Sequence, residues 1–138
     1  MLSDLTGRAD VQALVESFYL RAFDDQLIGH IFTDVAQMDL AHHLPIMCDF
    51  WQTVLFQAGL YQRNALALHV ALNAKVPLRQ EHFDRWLALW IENVDEQFAG
   101  EKAELAKTQA RRIAGSIRRR LQGGSGSEFE TLRRGPAE

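Results

Sequence analysis

The sequence predicts an all-α fold, and three observations point to it. Apolar residues recur at helical spacing through nearly every segment before Gly123. No segment alternates apolar and polar residues in the way a half-buried strand does. Breaks at Asp24-Asp25, Gly59, Pro77 and Gly100 divide the chain into successive helical lengths. The chain has 138 residues, which favours one domain around a single hydrophobic core.

In the first helix, Val11, Leu14, Val15, Phe18, Tyr19 and Ala22 fall on one face, with Asp10 as the expected N-cap. After Asp24-Asp25, the run Leu27-Ile28-Gly29-His30-Ile31-Phe32 reads as a short helical turn or a corner. A second helix carries His43, Met47, Phe50, Trp51 and Val54 along one stripe. Pro45 must lie in its first turn or kink it, because proline lacks the amide hydrogen, and Gly59 is expected to end it. A third, shorter helix is expected from about Asn64 to Ala74, stopped by Pro77. The fourth, from about Arg79 to Phe98, sets Phe83, Trp86, Leu87, Trp90, Val94 and Phe98 on one side. Beyond Gly100, a fifth helix buries Ala103, Ala106, Ala110, Ile113, Ile117 and Leu121. From Gly123 the composition turns to Gly, Ser and charge. Such a segment buries too little apolar area to offset its ordering entropy, so we expect a folded domain over residues 1–122 and a flexible polar tail over 123–138.

Composition narrows the class. The chain is 47% hydrophobic and 24% charged, with a net charge of −3, a mean hydropathy of −0.18 and a pI near 5.9. That balance suits a soluble globular protein and gives no electrostatic reason to expect a nucleic-acid partner. No apolar run approaches the ~20 residues that cross a bilayer. The single cysteine, Cys48, fits a reducing cytoplasm and reads as a small buried hydrophobe.

Five histidines are present: His30, His42, His43, His69 and His82. None belongs to a zinc-hydrolase motif. His42 and His43 are adjacent, hence about 100° apart on a helix, and do not ligate one ion together. There is no phosphate loop and no Gly-x-Ser-x-Gly elbow. His69 stands alone among Ala and Leu residues with no second ligand nearby. A bare zinc ion needs three or four protein ligands, whereas a lone imidazole suits an iron already held by a macrocycle. By itself His69 also reads as an ordinary core or surface histidine, as does His43, and Tyr19, Trp86 and Trp90 as ordinary core. Without Cys-x-x-Cys-His, any haem is held without thioether links, and the cofactor expected is haem b.

Taken together, these segments resemble the third group of the truncated haemoglobin family. The resemblance spans about residues 8 to 121. It rests on Phe18-Tyr19, the corner ending at Phe32, His43-Leu44-Pro45 followed by Asp49-Phe50-Trp51, and His69. It continues through His82-Phe83-Asp84-Arg85-Trp86-Leu87 and the Ala-rich last helix. The Gly-Gly pairs of the other two groups are missing, as is typical of the third. The resemblance implies a truncated globin fold, a 2-on-2 helical sandwich around haem. It makes His69 the proximal iron ligand and puts Tyr19, Trp86 and His43 on the distal side. Phe32 then packs on the macrocycle, and Met47 and Phe50 line the pocket. Arg63, Lys75, Arg79 and His82 flank His69 and are candidate partners for the haem edge, although solvated surface charge is an equally good reading.

The function implied is binding of dioxygen, and of nitric oxide or carbon monoxide, at a pentacoordinate or reversibly hexacoordinate iron kept reduced by an unidentified reductase. An enzymatic alternative is nitric oxide dioxygenation or peroxidase-like detoxification. An alternative of another class is a cofactor-free helical interaction domain. The basic run Arg118-Arg119-Arg120 reads as cations complementing a helix C-terminus.

Overall fold

The structure is a computed structural model that describes residues 2–57, 59, 69, 73–75 and 77–121. The expected polar tail, Arg63 and most of the expected third helix lie outside the described residues. Of that third helix, His69 and residues 73–75 are helical. No strand occurs among the described residues.

Helix α1 spans Arg8–Asp24 and begins earlier than expected, with Gly7 rather than Asp10 as its N-cap. Asp10 sits in the third helical position and reaches back, accepting from the Thr6 amide and hydroxyl at 2.9 Å each. A carboxylate there satisfies an amide just ahead of the helix and favours the positive end of its dipole. The corner that follows is built by Asp25, whose Oδ2 accepts from the amides of Leu27 (3.0 Å) and Ile28 (3.1 Å). Gly29 packs so closely that a Cβ would collide with the Phe23 carbonyl. The chain then makes a π-helical turn over Ile31–Val35, closed by the Ala36 amide on the Ile31 carbonyl at 2.8 Å.

Helix α2 spans Leu40–Phe56, and its N-cap Asp39 accepts from the Ala41 amide. Pro45 falls in its second turn, not its first, so the Ala41 carbonyl receives no i+4 amide there. The helix ends at Phe56 on a left-handed Gln57 (φ 56°), ahead of the expected Gly59. Helix α3 spans Gln80–Gln97. His82 fixes its start by accepting the Arg79 amide on Nδ1 at 2.9 Å. Helix α4 spans Glu101–Leu121. Its first amides are capped from the far end of the chain: Asp4 accepts from Lys102 and Ala103 at 2.9 Å each.

The helices pack two over two. α1 lies against α2 and α3 against α4, while α1 also meets α3 and α2 meets α4. Between them Leu14, Val15, Phe18, Leu55, Trp90 and Val94 are almost fully buried. The small Ala103, Ala106 and Ala110 face of α4 is buried as well. At that face Trp90 Nε1 donates to the Ala106 carbonyl at 3.2 Å. A buried Asn93 crosses from α3 to α1, its Nδ2 donating to the Leu14 carbonyl at 2.9 Å and its Oδ1 accepting from Gln97 at 2.9 Å. An amide with no solvent exposure needs those partners, because an unpaired buried polar group is costly.

Candidate functional site

The helices enclose a predominantly apolar cavity of about 540 Å³, within the roughly 300–1,000 Å³ typical of small-molecule and cofactor sites. Tyr19 enters from α1, and Ile28, Ile31 and Phe32 from the corner and π-helical turn. From α2 come His42, His43, Ile46, Met47, Phe50 and Trp51. His69 borders the cavity from the segment between α2 and α3. The walls are completed by Phe83 and Trp86 of α3 and by Ile113, Ala114 and Ile117 of α4. Tyr19, Phe50 and Trp51 are buried, His43, Met47 and His69 partly so, and the rim residues Asp39, His42 and Lys75 are exposed.

The seven residues that the resemblance puts at the pocket all border this one cavity: His69, Phe32, Tyr19, His43, Met47, Trp86 and Phe50. Of the candidates for the edge, Arg79 is exposed at the N-cap of α3 and does not border it. Of the other candidates for the edge, Lys75 and His82 do border it. Phe18 and Trp90 do not line the cavity and stand one layer behind. Phe18 meets Tyr19, Trp86 and Trp90 edge-on, with centroids 5.2–5.9 Å apart. Trp90 stacks on Trp51 at 4.4 Å.

Polar chemistry inside the cavity concentrates on α1 and α2. Tyr19 Oη and His43 Nε2 share a hydrogen bond of 3.2 Å, and their rings cross at 85°. Phe32 braces the same tyrosine edge-on at 5.9 Å. Tyr19 can donate and accept, whereas the Trp86 indole only donates, and no group among the described residues accepts from it. Cys48, on the buried side of α2, has its thiol pushed up by burial, which suits the small hydrophobe expected. Among the described residues no three His, Cys, Asp or Glu side chains cluster to hold a bare metal ion.

His42, Ile46, Asp39 and the α4 wall were not anticipated. The signal for the α2 residues was present, since 39, 42, 43, 46, 47, 50 and 51 follow one i, i+3, i+4 repeat. A cavity is wider than a core stripe, so two adjacent histidines both border it.

A two-over-two helical sandwich enclosing an apolar cavity, with a histidine entering from outside the four helices, is the truncated globin fold. The resemblance read from the sequence is to its third group, and two comparisons agree. The chain is 25% identical over 124 residues to the group 3 truncated hemoglobin ctb of Campylobacter jejuni, covering 88% of this chain and 95% of that protein. The crystal structure of a group III truncated hemoglobin from Campylobacter jejuni superposes with a TM-score of 0.76 at 25% identity, again over 88% and 95%. No family model matches the chain.

Proposed function

We propose that the cavity holds haem b with His69 as the iron ligand, and that the protein binds dioxygen and related diatomic ligands on the side of Tyr19, His43 and Trp86. The observation that carries this reading is the gathering of His69, Tyr19, His43 and Trp86 around one apolar cavity. The donor set fits the group. The walls are aliphatic and aromatic, as a macrocycle face requires, and a single imidazole suffices where the porphyrin supplies the remaining nitrogens. Lys75, His42 and His82 border the cavity and would meet the haem carboxylates. When bound, haem supplies an iron with an open position for a small ligand.

The chain's own residues do the rest. The Tyr19 hydroxyl and the Trp86 indole are donors facing a ligand that carries partial negative charge, each worth about 1 kcal/mol net. His43 Nε2 holds the Tyr19 hydroxyl at the cavity wall and so orients it. Phe32, Phe50 and Trp51 exclude water, which protects the iron from oxidation. Because that hydrogen bond also lets a proton pass between Tyr19 Oη and His43 Nε2, it favours peroxidase-like chemistry as a second reading. An absorption spectrum of the purified protein, with and without added haem, tests the first. An intense Soret band that shifts with carbon monoxide is expected. A protein that takes up no haem would support the cofactor-free interaction domain instead. Fast turnover of peroxide with a reducing substrate would favour the second reading over simple ligand binding, and rapid nitrate production from the oxygenated protein and nitric oxide would favour dioxygenation.

A further inference from the structure

We propose that Arg85 and Asp25 form a positioning pair for Trp86, an ion pair that fixes the ligand-facing end of α3 against the corner after α1. The proposal rests on the reading above, in which Trp86 donates to the ligand. Arg85 Nε lies 2.7 Å from Asp25 Oδ1, joining residues 60 apart in sequence. The Asp25 side chain is only 6% exposed, and that of Arg85 47%. Oδ2 of the same carboxylate accepts from the amides of Leu27 and Ile28, so both oxygens are engaged and Asp25 is pinned to the corner. That corner supplies Ile28, Ile31 and Phe32 to the cavity wall, and the residue after Arg85 is Trp86.

The contacts around Trp86 explain why a pin is needed. Its ring meets two apolar rings, Phe18 edge-on at 5.9 Å and Trp90 in parallel at 6.3 Å. Neither contact is a hydrogen bond, so neither holds the indole N–H itself in one direction. The other polar ties between α1 and α3 run from Arg21 to Glu92 and Glu96, from Asn93 to Leu14, and from Ser17 to Asn93 and Gln97. All lie about two turns or more further along α3. Among the described residues, the one hydrogen bond or ion pair that joins the cavity end of α3 to the corner is therefore that of Arg85. An ion pair whose arginine is half exposed adds little to global stability. Its effect is on position.

The test compares Arg85→Leu, Asp25→Asn and Arg85→Lys with Trp86→Phe in the haem-loaded protein. Dioxygen release and the C–O stretching frequency of bound carbon monoxide are the readouts, with the Trp86 indole ¹H–¹⁵N resonance as one that needs no ligand. We expect Trp86→Phe to speed dioxygen release about fivefold, the factor for one net hydrogen bond, and to move the C–O frequency. Arg85→Leu and Asp25→Asn should shift both in the same direction and displace the indole resonance, while the thermal midpoint falls by only a few degrees. Arg85→Lys should restore part of the effect, and Arg85→Leu should add nothing in a Trp86→Phe background. If Trp86→Phe changes release and frequency but Arg85→Leu changes neither, or if Arg85→Leu leaves the indole resonance in place, the positioning role is refuted and the ligand role of Trp86 stands. Full additivity of the two substitutions also refutes it. If Trp86→Phe itself has no effect on the ligand, the role of Trp86 falls and the pair's role with it.

Discussion

Replacing Tyr19 by phenylalanine removes one oxygen atom and little else. The ring is 6% exposed and held edge-on by Phe18 and Phe32 at 5.3 and 5.9 Å. Those contacts survive the change, so no cavity opens at the ring. In the unliganded protein the change removes the bond to His43 Nε2. At 3.2 Å it is longer than the usual O–H hydrogen bond, which puts its net value near the lower end of about 0.5–1.5 kcal/mol. For a domain of this size that lowers the thermal midpoint by about 2 °C. If Tyr19 donates to the ligand as proposed, the loss with ligand present is larger, because the donor would act where water is excluded. One net bond of about 1 kcal/mol corresponds to roughly fivefold faster dioxygen release. Stopped-flow release of dioxygen from the ferrous protein, beside thermal unfolding, measures both. A release rate equal to that of the unsubstituted protein, or a midpoint lowered by more than ten degrees, would refute the assignment of the hydroxyl to the ligand side.

Further outcomes follow from the frame. Gly29→Ala should cost about 1–3 kcal/mol of stability by overpacking against the Phe23 carbonyl, read by denaturant unfolding. Asp4→Ala should cost about 1 kcal/mol, since the α4 amides of Lys102 and Ala103 lose their acceptor. Burial raises the Asp4 and Asp25 carboxyls, but the backbone amides at Asp4, and Arg85 with the amides at Asp25, outweigh it, so both sit below their ordinary 3.8. Their contribution is thus fully present above pH 3.8 and is lost as pH falls through the lowered values. An acid unfolding curve should steepen there and flatten in Asp4→Asn; an identical curve would argue against it.

Much of this was legible in the chain. Helical spacing over Val11 to Ala22 and from Ala103 to Leu121 located α1 and α4, because each buries a single stripe. The resemblance brought out seven residues that meet in one cavity, because aromatic and histidine positions on α1, α2 and α3 follow helical periodicity. Legibility stopped where partners are distant in sequence. Asp4 caps a helix 98 residues away, and Asp25 reads as a helix breaker until Arg85 is seen beside it. Arg79 was drawn to the site by its neighbours in sequence, yet an N-cap position leaves it exposed. Asp10 and Gly59 were misplaced as helix ends because one carboxylate serves equally at N-cap or three residues in, and because Gln57 itself takes the left-handed cap.

The most direct test of the central claim is the spectrum of His69→Gly with and without added imidazole. If His69 ligates the iron, the variant should lose haem readily and lack the five-coordinate ferrous spectrum, and free imidazole should restore both. A variant that retains haem with an unchanged spectrum in the absence of imidazole would contradict it.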